Sequence, residues 1–205
     1  MVRTRQSLDA GLDHLAASET AFAGVMDRLG RPEPRISETG VATLLRTIVG
    51  QQVSVASARA LWAKLEAAFG SPPDLAAILA ASDEDLRAAG MSRQKAGYAR
   101  SLAGLVLSGE LDLDRLPEDD EEAIELLTRI KGIGRWSAEI YLLFAEGRAD
   151  VLPAGDLAVQ IEIGRLLGLD GKPSEKQVRE LAEKWRPHRG AAAVLAWHSY
   201  NSDVI

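Results

Sequence analysis

Apolar residues recur at three- and four-residue spacing along nearly the whole chain, and no stretch alternates apolar and polar residues as a half-buried strand would. That period admits helices. Leu8, Leu12 and Leu15 open the pattern; Phe22, Val25, Met26 and Leu29 continue it until Gly30, Pro32 and Pro34 break the chain. Ser37 is the expected N-cap of a helix carrying Leu44, Leu45, Ile48 and Val49. A turn at Gly50 and Gln51 leads to a helix with Leu61, Trp62, Leu65 and Phe69. Further helices fit 74–80, 83–89, Ser92 to about 107, 120–130, 135–146, 157–168, 174–186 and 189–200. Helices joined by short connections predict an all-α fold.

Composition narrows the classes. The 205 residues suffice for one domain or two small lobes, and 46% hydrophobic residues supply a core. There is no cysteine, which excludes disulfides, thiolate metal sites and a Cys-ligated iron–sulfur cluster. Three histidines are too few for a zinc site, so no metal centre is expected. The amino terminus lacks an apolar signal core, and no apolar run reaches the roughly 20 residues that span a bilayer. A soluble, cytoplasmic protein without membrane contact is the expectation.

The net charge of −6 counts against a nonspecific nucleic-acid binder, yet the charges are segregated. Acids crowd into 110–122, whereas 91–100 holds Arg93, Lys95 and Arg100 with no acid. Basic residues also outnumber acidic ones over 172–189.

Residues 126–141, LLTRIKGIGRWSAEIY, join an apolar helix to the next through a Gly-Ile-Gly turn. Gly132 and Gly134 can take positive φ and let another backbone approach closely, with Ile133 anchoring the turn in the core. The unsatisfied amides opening the following helix attract an anion, so a phosphate fits there without a lysine. A lone GxG between helices is an ordinary corner. The longer pattern, with Ser137 and Ala138 after the turn, is more specific and resembles a helix–hairpin–helix DNA-binding motif. Beyond it, Pro153 and Gly155 lead to Asp156 at the start of an apolar helix, where taken alone it is an N-cap.

A hairpin, a Gly/Pro loop and then an Asp, in that order, resemble the HhH-GPD superfamily of base-excision DNA glycosylases. The likeness extends to 44–61 and 185–200, so it spans about residues 44–200. The segments GIGRWSA, LPAGD and WRPHR…W are most similar to the AlkA-type 3-methyladenine glycosylases. The resemblance implies two helical lobes with the active site in the cleft between them: amino-terminal helices (1–36) packing with the carboxy-terminal lobe, a helical lobe over 37–130, and a hairpin and catalytic lobe over 131–205. It also implies a compact form without an amino-terminal β domain. The implied partner is double-stranded DNA containing alkylated bases, bound by a monomer that needs no cofactor; a monovalent cation at the hairpin is compatible with it.

The same resemblance assigns roles. Asp156 falls on the essential carboxylate. Held ionised by a helix N-terminus, it either stabilises the sugar cation or activates water, and both roles stay open. Trp136 stands where bifunctional members carry a nucleophilic Lys, which implies a glycosylase without lyase activity. Its indole suits stacking on a flipped, cationic base such as 3-methyladenine or 7-methylguanine. Trp197 matches a second aromatic pocket position, and Ile140 stands where a Tyr is frequent. Gln52 matches the residue that fills the gap left by the flipped base, with Gln51 supporting its loop. Backbone grip falls to Gly132 and Gly134, with Arg135, Ser92 and Lys95 as further candidates. Ser92 reads equally as an N-cap, Lys95 as a solvated lysine, and either tryptophan as core; Trp62 and Trp185 are structural. The alternatives are a non-catalytic helix–hairpin–helix DNA-binding protein and a glycosylase for another damaged base.

Overall fold

The leucines that open the pattern, Leu8, Leu12 and Leu15, are all fully buried on one face of the first helix. The computed structural model describes residues 4–203, and among them there are twelve α-helices and no strand. In chain order they are α1 (Arg5–Ser18), α2 (Thr20–Leu29), α3 (Val41–Gly50), α4 (Val55–Phe69), α5 (Leu75–Ala80) and α6 (Asp83–Ala88). Then come α7 (Arg93–Leu107), α8 (Asp120–Thr128), α9 (Arg135–Tyr141), α10 (Leu157–Leu166), α11 (Glu175–Leu181) and α12 (Arg189–Asp203). No described helix is long and apolar enough to cross a membrane. The chain divides into two compact units, one running from Glu38 to Ala138 and the other made of the residues before and after that span.

In the unit built from both ends of the chain, α12 packs on α1, α2 and α10. Its run Ala191, Ala192, Ala193 and Ala196 is buried and small, so backbones come close. A Cβ on Gly11 of α1 would stand 2.8 Å from the Ala191 Cβ. Trp185 is fully buried and meets the Phe22 ring edge-on at 5.0 Å. That is the structural role its sequence position suggested.

His14 of α1 and His188, just before α12, place their rings 5.0 Å apart. Burial, and then the neighbouring His14, push His188 below the ordinary histidine value of 6.5, against an opposing pull from Asp150. The unfolded chain therefore takes up a proton near pH 6.5 that the folded chain still refuses. Stability from this pair is complete above that pH and falls as pH drops below it, toward the lower folded value. Thermal melts of wild type between pH 8 and 5 should show this decline, and His188→Gln should flatten it; equal slopes for both proteins would rule the pair out as its cause.

In the central unit, α3 buries Leu44, Leu45 and Ile48 and packs on α4 and α7. Helices α5 and α6 lie against α7, which turns Ala96, Ala99, Leu102 and Ala103 inward. Helix α9 starts in this unit, and from Glu139 onward its residues belong to the other.

Three helix limits differ from the sequence expectation. Ser37 does not cap α3; Gly40 does, at φ +95, and the Ser37 amide donates to the Phe144 carbonyl at 3.1 Å. A left-handed entry of that kind selects glycine over serine. Helix α9 gives way to a π-helical turn over Leu142–Glu146, which buries the consecutive residues Leu142, Leu143, Phe144 and Ala145 where one α-helical stripe would expose some of them. Past α11 a 3-10 turn over Ala182–Trp185 aligns Ala182 and Trp185 on one buried face.

Candidate active site and DNA-contact loops

Asp156 is the N-cap of α10. Its Oδ1 accepts the Val159 amide at 3.0 Å and the Trp197 indole Nε1–H at 3.0 Å. The first bond follows from local chain geometry. The second reaches across 41 residues and fixes the carboxylate from the α12 side. Asp156 is half-buried, so its charge is partly withdrawn from water yet reachable.

The loop before it is pinned from behind. Gln160, buried in the first turns of α10, donates from Nε2 to the Ala154 carbonyl at 2.9 Å and accepts Lys172 Nζ on Oε1 at 2.6 Å. The Asp156 amide itself donates to the Pro153 carbonyl at 3.0 Å. Gln160 and Lys172 were not singled out from the sequence, because nothing local marks a glutamine that faces back along its own helix. Leu157 was also missed. It directly follows the carboxylate and is 60% exposed, an apolar side chain presented to solvent beside the charge.

Trp197 is shared. One edge serves Asp156, and the ring lies 5.6 Å from Phe144, tilted by 36°. The indole also lines a pocket of about 400 Å³ with Arg31, Pro34, Arg35, Val194 and His198. Trp136 sits in the first turn of α9 and is 47% exposed, which sets aside the core-packing reading for it. Ile140 lies one turn further on and is half-buried.

The central unit brings the hairpin and the Gln52 loop together. Gln51, at the carboxy end of α3, donates from Nε2 to the Gly132 carbonyl at 2.7 Å. Gln52 is exposed at the loop tip with φ +55, the one described non-glycine residue in the left-handed region. Such backbone costs about 1 kcal/mol or more and persists where neighbours enforce it. Lys95 Nζ donates to the Val49 carbonyl at 2.7 Å, so its ammonium caps the end of α3, and burial lowers its pKa. Lys95 is therefore not simply solvated. Ser92 accepts the Lys95 amide at 3.2 Å as the N-cap of α7 and is exposed.

At the hairpin, Gly132 has φ +86, and a Cβ there would overlap the Tyr98 ring. Gly134 does not use that freedom. Its φ is not positive; it supplies the carbonyl that accepts the Ala138 amide at 3.0 Å and opens α9, with clear space where a Cβ would stand. Ile133 is buried, as the turn requires. Arg135 pairs with Glu121 at 2.5 Å. A cation bridging this turn to a phosphate would draw on main-chain carbonyls. That of Gly132 accepts from Gln51 and that of Ile130 from the Ile133 amide at 3.0 Å. Among the described residues no cluster of His, Asp and Glu is arranged to hold a metal.

Comparison with known proteins identifies the family. The chain is 34% identical over 191 residues to DNA-3-methyladenine glycosylase 1 of Schizosaccharomyces pombe, covering 90% of this chain and 84% of that one. It superposes on the DNA-3-methyladenine glycosidase of Bacillus halodurans with a TM-score of 0.86 at 29% identity, over 95% and 90% of the two chains. The S. pombe 3-methyladenine DNA glycosylase solved with abasic DNA matches at 0.77 and 29% identity, over 96% and 97%. The family model for HhH-GPD superfamily base excision DNA repair proteins matches residues 45–188, a span that holds the Gln52 loop, the hairpin and Asp156. The chain belongs to the HhH-GPD superfamily of base excision DNA repair proteins.

Proposed function

We propose that this protein is a monofunctional DNA glycosylase that hydrolyses the N-glycosidic bond of alkylated purines, of the 3-methyladenine and 7-methylguanine class, in duplex DNA. The observation that carries the reading is the half-buried Asp156 carboxylate, oriented by the Val159 amide and the Trp197 indole. Relatives named as 3-methyladenine glycosylases, one of them solved with abasic DNA, support the substrate class.

The chemistry derives from charge. When the bond between the sugar C1′ and the base nitrogen breaks, its electron pair leaves with the base, and a cationic alkylated purine departs neutral. Positive charge builds on the deoxyribose, as in other glycosyl transfers. A fixed carboxylate beside the sugar stabilises that cation electrostatically. Water then adds to C1′ and loses a proton, which Asp156 accepts. The exposed Trp136 offers its face to the flipped cationic base. Gln52 fills the vacated stack, and the amides after Gly132 receive a phosphate. With tryptophan at position 136 the hairpin helix supplies no amine there, so no Schiff base forms through it. In this reading the protein acts as a monomer in the cytoplasm.

Incubation with methylated duplex DNA tests this directly. Free 3-methyladenine and 7-methylguanine should appear, with strands intact until heat or alkali cleaves the abasic sites. No base release by wild type sinks the reading, and strand cleavage without such treatment sinks its monofunctional part.

A further inference from the structure

Between Glu38 and Glu66 the chain has no acidic residue, although its net charge is −6. The charged residues inside that stretch, Arg46, Arg59 and Lys64, are all basic. The stretch comprises α3, the Gln52 loop and most of α4. On it lies a pocket of about 220 Å³ lined by Arg46, Val49, Val55, Ala58, Arg59 and Trp62. None of these residues lines the pocket formed by Gln51, Gln52, Ser92, Lys95 and Tyr98, so the Gln52 loop is flanked by two separate recesses.

The lining has a definite chemistry. The Arg46 guanidinium lies 4.5 Å over the Trp62 ring, which holds its plane while leaving its charge in place. Its nearest acid, Glu38, is 3.8 Å away with a side chain 82% exposed, a contact too solvated to neutralise it. Arg59 is exposed and has no ion-pair partner among the described residues. Val55, at the start of α4, is 75% exposed. A lone exposed valine needs no explanation, but two guanidiniums facing an apolar floor suit a ligand with an anion at one end and an apolar ring at the other. A nucleotide unit of DNA is such a ligand. Trp62 lies about 10 Å along α4 from Val55, or about three base steps at 3.4 Å each.

We propose that this recess is an additional DNA-contact site beside the Gln52 loop, in which Arg46 and Arg59 clamp one phosphate while Trp62 and Val55 pack on its sugar or base. The assignment rests on the proposed function, in which duplex DNA engages the Gln52 loop.

The test is equilibrium binding of the full chain to a duplex with a tetrahydrofuran abasic analogue, over a range of salt. Arg46→Gln and Arg59→Gln should each weaken binding about 3- to 10-fold and reduce the slope of log K against log salt by about 1. Arg59→Lys should keep the slope. Trp62→Leu should weaken binding with the slope unchanged, and Trp62→Phe should restore it. Arg115→Gln, a remote arginine of the same unit whose side chain is 87% exposed, should alter neither quantity. Melting curves confirm that each variant is folded. If wild type binds and releases methylated bases while the folded Arg46 and Arg59 variants behave like Arg115→Gln, the site is overturned. It is equally overturned if Arg115→Gln weakens binding as much as they do. If wild type neither binds the duplex nor releases base, the failure belongs to the proposed function instead.

Discussion

Asp156→Asn should stay folded and lose base release by about 100-fold or more, the loss seen when one preorganised electrostatic group is removed from a reacting centre. The bonds from Val159 and Trp197 both end on Oδ1, and an asparagine carbonyl oxygen in that position accepts the Val159 amide and the Trp197 indole equally well. Asparagine and aspartate are near-equal N-caps, so the start of α10 should survive. On the proposed function, what disappears is the negative charge beside the sugar and the group that takes the proton from water. Trp197→Phe provides the complement. It keeps the charge and removes one bond to it, so its loss should be smaller, roughly tenfold for a hydrogen bond to a charged group. Single-turnover base release on methylated duplex, with melting curves alongside, separates the cases. A folded Asp156→Asn variant as active as wild type would take Asp156 out of the chemistry.

Gly132→Ala should produce the largest loss of stability. The residue has φ +86, where a side chain costs about 1–2 kcal/mol, and the new Cβ would overlap the Tyr98 ring. Together these should destabilise the central unit by roughly 2–4 kcal/mol, a melting shift of about 5–15 °C for a chain of this size. The carbonyl that Gln51 uses would shift with the turn, so DNA binding should fall as well. Tyr98→Ala in the Gly132→Ala background should recover part of the stability, since it removes the overlap and leaves the backbone strain. Gly134→Ala should be near neutral, because open space surrounds the new methyl group and φ is not positive. Equal melting of Gly132→Ala and wild type would show that the turn does not have this geometry.

The contrast between the two glycines shows what was legible in advance. Sequence marks both as small and flexible; only the folded chain decides that one enters the left-handed region while the other opens α9 with its carbonyl. Helical periods were readable because each helix buries one face, as with Leu8, Leu12 and Leu15. Asp156 as an N-cap was readable because capping is decided within three residues. Bonds joining distant residues were not. Lys95 reaches Val49 across 46 positions and Gln51 reaches Gly132 across 81, and neither pairing leaves a local signature. Ser37 misled because a good capping residue four positions before the helix looks like its start, while the actual entry needed the torsion of Gly40.

Gln52 holds φ +55 at the tip of its loop. A repair protein of this kind meets intact base steps far more often than damaged ones. On the proposed function, a fingertip held bent by its own loop needs no reshaping at each of those meetings: the conformational penalty is met once, while the chain folds. Probing by such a loop would be quick to begin and quick to abandon, and what separates a damaged step from a sound one would be left to the DNA, through how readily its stack yields.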